Sequence, residues 1–188
     1  LPDIIAFQEI NDGNAFIELA QDLPAYNFVS SGTGLALAAR RDILDISHQT
    51  TLFSSSGYEF AWRYPFKVDL TWSCGLRSSV LSVIVVHLKS GCSSEDFNRR
   101  YESCELINDY VAANNDENII ILGDYNDEIT DSQSNNSLWP LVNSDHIKFA
   151  TESIANSDYW ASYPSWPSFI DHIALSSQLF DEYYNGSI

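Results

Sequence analysis

The chain has 188 residues, 45% of them hydrophobic, which suits one folded domain with a core of its own. Its 26 acidic residues outnumber its 9 basic residues and give a formal net charge of −17. This acidity argues against a broad basic surface for nucleic acid, although it leaves room for a small local phosphate site.

The apolar runs and the N-terminal residues indicate neither a membrane-spanning helix nor a signal peptide. No apolar run reaches the roughly 18 residues that a membrane-spanning helix needs. The first residues, LPDIIAFQ, have neither the basic region nor the cleavage site of a signal peptide. Met is absent even at position 1, and Leu1-Pro2-Asp3 leads at once into an apolar strand. We therefore expect the chain to be part of a longer protein.

The first half of the chain combines strands with one helix. The apolar run in DIIAFQE predicts a strand over 3–9, and apolar residues at helical spacing predict a helix over 12–23 with Asp12 as N-cap. A further strand is predicted over 34–40. Aromatic residues alternate over 58–66, which predicts a strand with one aromatic face and favours packing in the core over an aromatic binding platform.

The second half has the strongest strand signals. Apolar runs predict three strands, over 80–88, 118–124 and 169–175. A stripe of apolar residues predicts a helix over 93–115, capped by Ser93 or Ser94. Because near-continuous and alternating strands occur together with few helices, the sequence predicts two packed β-sheets flanked by helices.

The three cysteines, Cys74, Cys92 and Cys104, leave two alternatives open. Cys92 is predicted to lie in a loop and Cys104 on the helix that follows, so these two could pair and leave Cys74 over. The alternative is three buried thiols. A bridge would indicate an oxidising compartment.

Four predicted strands run into polar side chains, namely Glu9, His87, Asp124 with Asn126, and Asp171. In open sheets, sites gather beyond the carboxyl ends of strands. Carboxylates that converge there repel one another unless a cation lies among them. Each residue alone has a structural explanation, such as a cap, a turn or a core histidine, but their conjunction indicates a site. Oxygen ligands without thiolates favour Mg²⁺ or Ca²⁺ over zinc.

At these residues the sequence resembles the endonuclease/exonuclease/phosphatase superfamily, which has the DNase-I-like fold. PDIIAFQEI is similar to its first metal motif, VVHLKSG to its histidine motif, ILGDYND to its Gly-Asp-Phe-Asn motif and FIDHIALS to its late Asp motif. GLALAAR resembles the strand between the first two motifs, and all occur in family order over nearly the whole chain.

The resemblance implies an α/β (α+β) fold: a four-layer sandwich of two mixed β-sheets face to face, flanked by helices. It implies a single domain over residues 1–188. The family's first strand and its C-terminal Ser-Asp-His strand have no counterpart here, which could leave this chain inactive by itself. SDHIKF contains His146 but precedes Asp171, so we do not expect His146 to replace the missing histidine. His172 should point to the opposite face of its strand.

The resemblance also implies hydrolysis of a phosphate ester by an in-line water, with one role for each residue. Glu9 would hold Mg²⁺, with Mn²⁺ or Ca²⁺ as alternatives. Asp124 would orient or deprotonate the water, and Asn126 would hold a phosphate oxygen. His87 would donate a hydrogen bond or a proton to the phosphoryl centre. Asp171 would orient a further histidine.

Two further features follow from the resemblance. Arg63, in WRYP, resembles an Arg-x-Pro element that touches substrate phosphate. A subgroup of the family pairs a cysteine directly after HLKSG with one on the next helix, which implies a Cys92–Cys104 disulfide. The bridge would favour a secreted or periplasmic location, with the cytoplasm as the alternative.

The leading functional hypothesis is a monomeric Mg²⁺-dependent phosphodiesterase, a nuclease acting on DNA or RNA. The first alternative is a phosphatase or phospholipase acting on a lipid or sugar phosphate, and the second is an inactive binding module on the same scaffold. Neighbouring phosphates of a nucleic acid would need nearby basic residues. The candidates are Arg63, Lys67, Lys89, Arg99 and Arg100. Arg99 and Arg100 could equally pair with glutamates along their helix.

Overall fold

The computed structural model describes residues 1–163 and 165–186. In chain order, the strands and helices are β1 (Ile4–Phe7), α1 (Gly13–Asp22), β2 (Tyr26–Ser30), β3 (Ala36–Arg40), β4 (Leu44–Thr51), β5 (Phe66–Cys74), β6 (Arg77–His87), α2 (Ser94–Ala113), β7 (Ile119–Asp124), α3 (Trp139–Val142), β8 (Ile147–Phe149), β9 (Asp171–Ser176) and α4 (Phe180–Tyr184). In these described residues, no helix combines the length and the apolar character needed to cross a membrane.

The strands form two sheets. The smaller sheet has the order β1-β3-β2 and is antiparallel throughout. The larger sheet has the order β4-β5-β6-β7-β9-β8, in which only β6 and β7 run parallel. The predicted pair of sheets with flanking helices is confirmed, with the larger sheet mixed and the smaller one antiparallel.

Alternate residues of β6 divide the interior into two cores. Val83 and Val85 face the smaller sheet, whereas Ile84 and Val86 face α2, because successive side chains of a strand point to opposite sides. The first core is shared by both sheets, since Leu37 of β3 belongs to it. The second core joins the larger sheet to α2 and α3.

Helix α1 covers the outer face of the smaller sheet. The ring of Phe16 on α1 lies 5.4 Å from the ring of Phe7 on β1 and 5.7 Å from that of Phe28 on β2. Asp12 caps α1 by accepting hydrogen bonds from two backbone N–H groups, as its sequence position predicts. Ser93 caps α2 in a reciprocal capping box with Asp96. The layers are therefore helix, sheet, sheet and helix.

The predicted strand over 58–66 is wrong. The segment forms turns, with Ala61 and Trp62 in the left-handed region at φ 51° and 57°, and β5 begins only at Phe66. Phe60 is buried and stacks on Phe53, whereas Trp62 is largely exposed. The alternating aromatic pattern therefore does not form one core-facing side. Turns within the segment decide which of its aromatic side chains are buried, and the period of the sequence does not encode these turns.

Strands β2, β4, β5 and β8 have no counterpart among the predicted elements. The exposed stretches of β4 and β5 carry polar residues, so no apolar run marks them. Strand β8 has only 3 residues, which is too short for a period to be recognised.

The predicted Cys92–Cys104 disulfide is wrong, because both residues are free thiols. Cys104 is buried in the core beneath α2, and burial raises the pKa of its thiol. Cys92 is exposed in the loop that precedes this helix. Cys74 is exposed as well, so the alternative of three buried thiols is also wrong.

His172 is a core residue on the face of β9 that points away from the smaller sheet. Its ring packs against the rings of Tyr125, Phe149 and Phe169 at centroid distances of 5.6, 5.5 and 5.2 Å. Nε2 lies 3.1 Å from the carbonyl oxygen of Asp127. Burial lowers the pKa of His172 to about 4, so the imidazole is neutral in the folded protein near neutral pH.

This burial predicts a loss of stability in mild acid. As pH falls from 6.5 towards about 4, the unfolded chain takes up a proton on His172 and the folded chain does not. The free energy of unfolding should fall by at most about 3 kcal/mol over this window. The His172→Gln variant should lose that part of the dependence in denaturation series at several pH values. His48→Gln, which removes an exposed imidazole, is the matched control, and equal pH dependence in both variants would contradict the prediction.

Candidate active site

Three of the predicted site residues lie in a row across three neighbouring strands. His87 ends β6, Asp124 ends β7 and Asp171 begins β9. The register pairs His87 with Asp124 and Asp124 with Asp171. Paired residues of adjacent strands project from the same face of a sheet, and here it is the face that carries Val83 and Val85. The row therefore faces the smaller sheet, with His87 Nε2 3.5 Å from Asp124 Oδ2.

The smaller sheet delivers Glu9 to this row. Glu9 follows β1 in a left-handed conformation, with φ 58°. Its Oε1 atom lies 3.9 Å from His87 Nε2, and its side chain is 74% exposed. The preceding residue, Gln8, has a buried Nε2 atom without a hydrogen-bond partner among the described residues. The two sheets thus contribute carboxylates to one site.

The turn after β7 explains the GDYND sequence. Gly123 has φ 143°, and a Cβ atom there would lie 2.1 Å from the carbonyl oxygen of Val86, so only glycine fits. Asn126 has φ 54°, and its backbone N–H donates to Asp124 Oδ1 at 2.8 Å. Its side-chain Nδ2 donates to the carbonyl oxygen of Leu88 at 3.0 Å. The turn therefore orients Asp124 and Asn126 together.

Arg63 reaches the site from the turns that precede β5. Its Nη1 atom lies 2.5 Å from His87 Nε2, and its Nη2 atom donates to the Leu88 carbonyl oxygen at 2.9 Å. A guanidinium has no acceptor, so the His87 nitrogen nearest to it must be unprotonated. Burial, followed by the charge of Arg63, lowers the pKa of His87 to about 4. His87 is therefore a neutral acceptor for Arg63 in this arrangement.

Asp124 is a perturbed carboxylate. Its pKa is raised to about 6, first by burial and then by the negative charges of Asp171 and Glu9. The N–H of Asn126 and the charge of Arg63 act in the opposite direction. Such a combination of burial and like charges is typical of functional sites. A further positive charge beside these carboxylates would stabilise their ionised forms.

Arg99 holds the loop that presents Arg63. Its Nε atom donates to the Tyr58 carbonyl oxygen at 2.8 Å, although the residue belongs to α2. Its guanidinium lies 4.4 Å from the centre of the Tyr58 ring and 5.8 Å from that of Trp62. Arg99 is buried by these contacts, so it is a structural clamp on the loop and not a free cation beside the site.

Arg100 joins the loops that follow β6 and β7. Its Nη1 atom donates to the carbonyl oxygens of Lys89 at 2.8 Å and Gly91 at 2.9 Å. Its Nε atom donates to Ser137 Oγ at 2.8 Å, and its Nη2 atom lies 3.3 Å from Asp127 Oδ2. Within the described residues, neither arginine makes an ion pair with a glutamate of α2. The sequence does not predict that these arginines position loops, because it shows only two adjacent arginines on a helix.

The other basic candidates are engaged elsewhere. Lys67 lies on the opposite face of the larger sheet, where its Nζ atom is 2.9 Å from Glu117 Oε2. Lys89 Nζ lies 2.6 Å from Asp96 Oδ1 at the start of α2. Of the five basic residues proposed from the sequence, only Arg63 faces the row.

Ser162 and His146, both in the second half of the chain, differ in their relation to the row. Ser162, which sequence reasoning missed, accepts hydrogen bonds through Oγ from the N–H groups of Ile170 and Asp171 at 3.0 and 3.1 Å. It thereby fixes the entry into β9, and no sequence pattern marks it. His146 lines a surface cavity with residues of α2 and α3, so it lies apart from the row.

The oxygen donors of the site limit the kind of metal ion that it could hold. In residues 1–163 and 165–186, no group of three or more His, Cys, Asp or Glu side chains is placed to hold a metal together. Mg²⁺ needs less, since one or two carboxylates commonly hold it while water and substrate phosphate complete its shell. Glu9 fits that requirement, and the Asp124 carboxylate is close by, since Glu9 Oε1 and Asp124 Oδ2 lie 3.9 and 3.5 Å from the same atom, His87 Nε2. An all-protein cage for zinc or calcium is not present among the described residues.

The family comparison agrees with this geometry. The model of the family described as "Endonuclease/Exonuclease/phosphatase family" matches residues 1–183. No curated protein matches the chain.

Solved structures with the same fold include three of interest. A D. rerio TDP2 humanized by 14 mutations has 12% identity and a TM-score of 0.70, covering 94% of this chain and 70% of that one. D. rerio TDP2 complexed with single strand DNA product has 13% identity and a TM-score of 0.62, covering 94% and 71%. Bacteroides thetaiotaomicron mannosyl-6-phosphatase has 18% identity and a TM-score of 0.61, covering 93% and 71%. At these identities the likeness shows the fold alone.

The contact between Gly123 and Val86 predicts a steric requirement in β7. The Gly123→Ala variant should lose about 2 kcal/mol or more of unfolding free energy, because the added Cβ meets a backbone oxygen in a strained conformation. Gly13→Ala, where a Cβ meets nothing within 4 Å, is the control. Its stability should change by at most about 1 kcal/mol. Equal denaturation midpoints for the two variants would contradict the predicted requirement.

Proposed function

The chain belongs to the endonuclease/exonuclease/phosphatase family, and on that premise we propose that it is a divalent-metal-dependent phosphodiesterase that cleaves a nucleotide ester. The observation that supports this best is the row of His87, Asp124 and Asp171, which Glu9 and Arg63 approach from two other parts of the fold. Such a site combines a base, an oxygen ligand for a metal and a cation for phosphate.

In the proposed reaction, a water molecule attacks phosphorus opposite the leaving oxygen. The water oxygen forms a bond to phosphorus while the bond to the leaving oxygen breaks. Asp124 accepts the proton of this water, and bulk water returns a proton to the leaving oxygen. Without a bound ion the pKa of Asp124 is raised to about 6, and a bound cation would lower it, so Asp124 is ionised at neutral pH and can accept this proton.

The remaining residues bind and orient. Arg63 and the Nδ2 group of Asn126 both donate to the Leu88 carbonyl oxygen, which places these donors side by side for the non-bridging phosphate oxygens. Neutral His87 accepts from Arg63 and orients it. Asp171 lies beside Asp124 and raises its pKa. Glu9 would hold Mg²⁺, or Mn²⁺ or Ca²⁺ in its place, and a bound ion polarises the phosphate and offsets its charge.

A phosphatase acting on a sugar or lipid phosphate is the second candidate. It is favoured because, of the five basic candidates, Arg63 alone faces the row and can engage one phosphate, and one of the structural neighbours is a mannosyl-6-phosphatase. The third hypothesis, an inactive binding module, predicts that no phosphate ester is hydrolysed.

The proposal predicts which changes abolish activity. Cleavage of a single-stranded oligonucleotide should require Mg²⁺ and stop on chelation. Asp124→Asn should lower kcat by about 100-fold or more, because the base is removed. Glu9→Gln should raise the Mg²⁺ concentration needed for half-maximal rate. Glu18→Gln, on the exposed side of α1, is the matched control and should leave both quantities unchanged.

The assay should compare three substrates in parallel: a nucleotide phosphodiester, a simple phosphodiester without a nucleobase, and a sugar phosphomonoester. Hydrolysis of the monoester alone would move the protein to the phosphatase class. Absence of metal-dependent hydrolysis with all three substrates would overturn the proposal and support the binding module.

A further inference from the structure

Two loops at the site carry most of the exposed aromatic side chains of the described residues. The first aromatic loop, residues 53–65, carries Tyr58 and Trp62. The second aromatic loop, described over 157–163 and 165–170, carries Tyr159, Trp160, Tyr163 and Trp166. Among the described residues, these are six of the eight exposed aromatic side chains, and the other two are Trp72 and Tyr184. Trp62 is 62% exposed and Trp166 is 70% exposed. Concentrated exposed apolar surface marks a binding site.

Strand order places these loops on either side of the row. Strand β5 is antiparallel to β6, so its start lies at the edge where β6 ends with His87. Strand β9 is antiparallel to β7, so its start lies at the edge where β7 ends with Asp124. Because the sheet order is β5-β6-β7-β9, the loop entering β5 and the loop entering β9 bracket the row.

Side-chain contacts tie each loop to the site. Arg63 of the first aromatic loop contacts His87. Ser162 of the second aromatic loop accepts the N–H of Asp171. Neither loop is a remote surface feature, since each also carries a group that contacts the row.

The first aromatic loop is held in place before any ligand binds. The backbone of Trp62 is in the left-handed region, and its backbone N–H donates to the Gly57 carbonyl oxygen at 2.7 Å. Arg99 holds the Tyr58 carbonyl from α2, and Phe60 anchors the loop in the core. The indole of Trp62 lies 5.8 Å from the Arg99 guanidinium, and a side chain held in this way loses little conformational entropy when a ring stacks on it.

The charges around the row exclude the usual means of binding a long polyanion. Arg99 and Arg100 are buried in structural contacts, and Lys67 and Lys89 are paired with carboxylates. Arg63 therefore remains the one cation of these five that can meet a substrate phosphate. A duplex hides its bases and is held through many phosphates, so it fits this rim poorly. A single strand exposes ring faces that stack on aromatic side chains.

We propose that the two aromatic loops bind the nucleobases that flank the scissile phosphate of a single-stranded nucleotide substrate. This inference rests on the proposed function and adds how that site selects its substrate. Trp62 and Trp166 stack on a base at either side of the row, and Arg63 engages the phosphate between them. Recognition thus depends on ring faces and not on a basic groove.

The test compares two single-stranded oligonucleotides of equal length, one of thymidine and one with abasic sites, which carry the same phosphates. Binding by the parent protein is measured by anisotropy of an end label with the metal chelated, so that the strand is not cleaved, and hydrolysis is followed in parallel samples with Mg²⁺. The thymidine strand should bind at least about tenfold more tightly. The slope of log binding constant against log salt should be about −0.7, the value for one phosphate contact on a single strand, whereas five contacts would give about −3.5.

The variants Trp62→Ala and Trp166→Ala should each reduce the preference for thymidine over abasic strands by about fivefold or more. Trp72→Ala is the control, because Trp72 is exposed near the far end of β5, opposite Ser79 of β6. It should leave the preference unchanged. Thermal unfolding of each variant separates a folding defect from lost stacking, and Trp166→Leu keeps apolar area while removing the ring.

Equal binding of thymidine and abasic strands by the parent protein would overturn the inference. So would a loss of preference in Trp72→Ala equal to that in Trp166→Ala, or a steep salt slope. If both strands are hydrolysed equally and Asp124→Asn abolishes cleavage, the proposed function stands and the inference fails. If thymidine strands bind preferentially without cleavage, the inference stands and the proposed hydrolase activity fails.

Discussion

The close approach of Gly123 to the Val86 carbonyl oxygen is the contact on which the site depends. It permits β6 and β7 to pair in parallel at the register that sets Asp124 beside His87. Antiparallel pairing of β7 with β9 then adds Asp171 to the same face. A side chain at Gly123 would push these strands apart at the point where their polar ends must meet.

The two arginines at the start of α2 connect this sheet edge to its loops. Arg99 clamps the turns that carry Arg63, and Arg100 joins the loops after His87 and Asp124. Both are buried, and removing either would leave carbonyl oxygens or a carboxylate without a partner, which is costly inside a protein. Two arginines that the sequence offers as candidates for substrate binding therefore hold the loops of the site in place.

The negative charges of the carboxylates at the site are only partly neutralised by neighbouring positive charge. Within the part of the chain that the structure describes, the carboxylates of Glu9, Asp124 and Asp171 have one cationic side chain beside them, that of Arg63, and burial keeps His87 neutral by lowering its pKa to about 4. The raised pKa of Asp124 reports the same imbalance. A metal ion and a phosphate bound together would relieve it, because the ion supplies charge and the phosphate engages Arg63. The free thiols of Cys92 and Cys104 leave the predicted secreted or periplasmic location without the bridge that suggested it.

The sequence by itself determined the family, the two-sheet architecture and the set of polar strand ends, because apolar runs that stop at Glu9, His87, Asp124 and Asp171 are local patterns. Helix caps were equally local, since Asp12 was predicted and caps α1, and Ser93, one of the two predicted candidates, caps α2. Only the tertiary structure decided the conformation of 58–66, the absence of a bridge at Cys104 and the use of Arg99 and Arg100. These outcomes depend on contacts between residues distant in the chain, such as Arg99 with the Tyr58 carbonyl, and no periodicity or spacing along the sequence encodes such contacts.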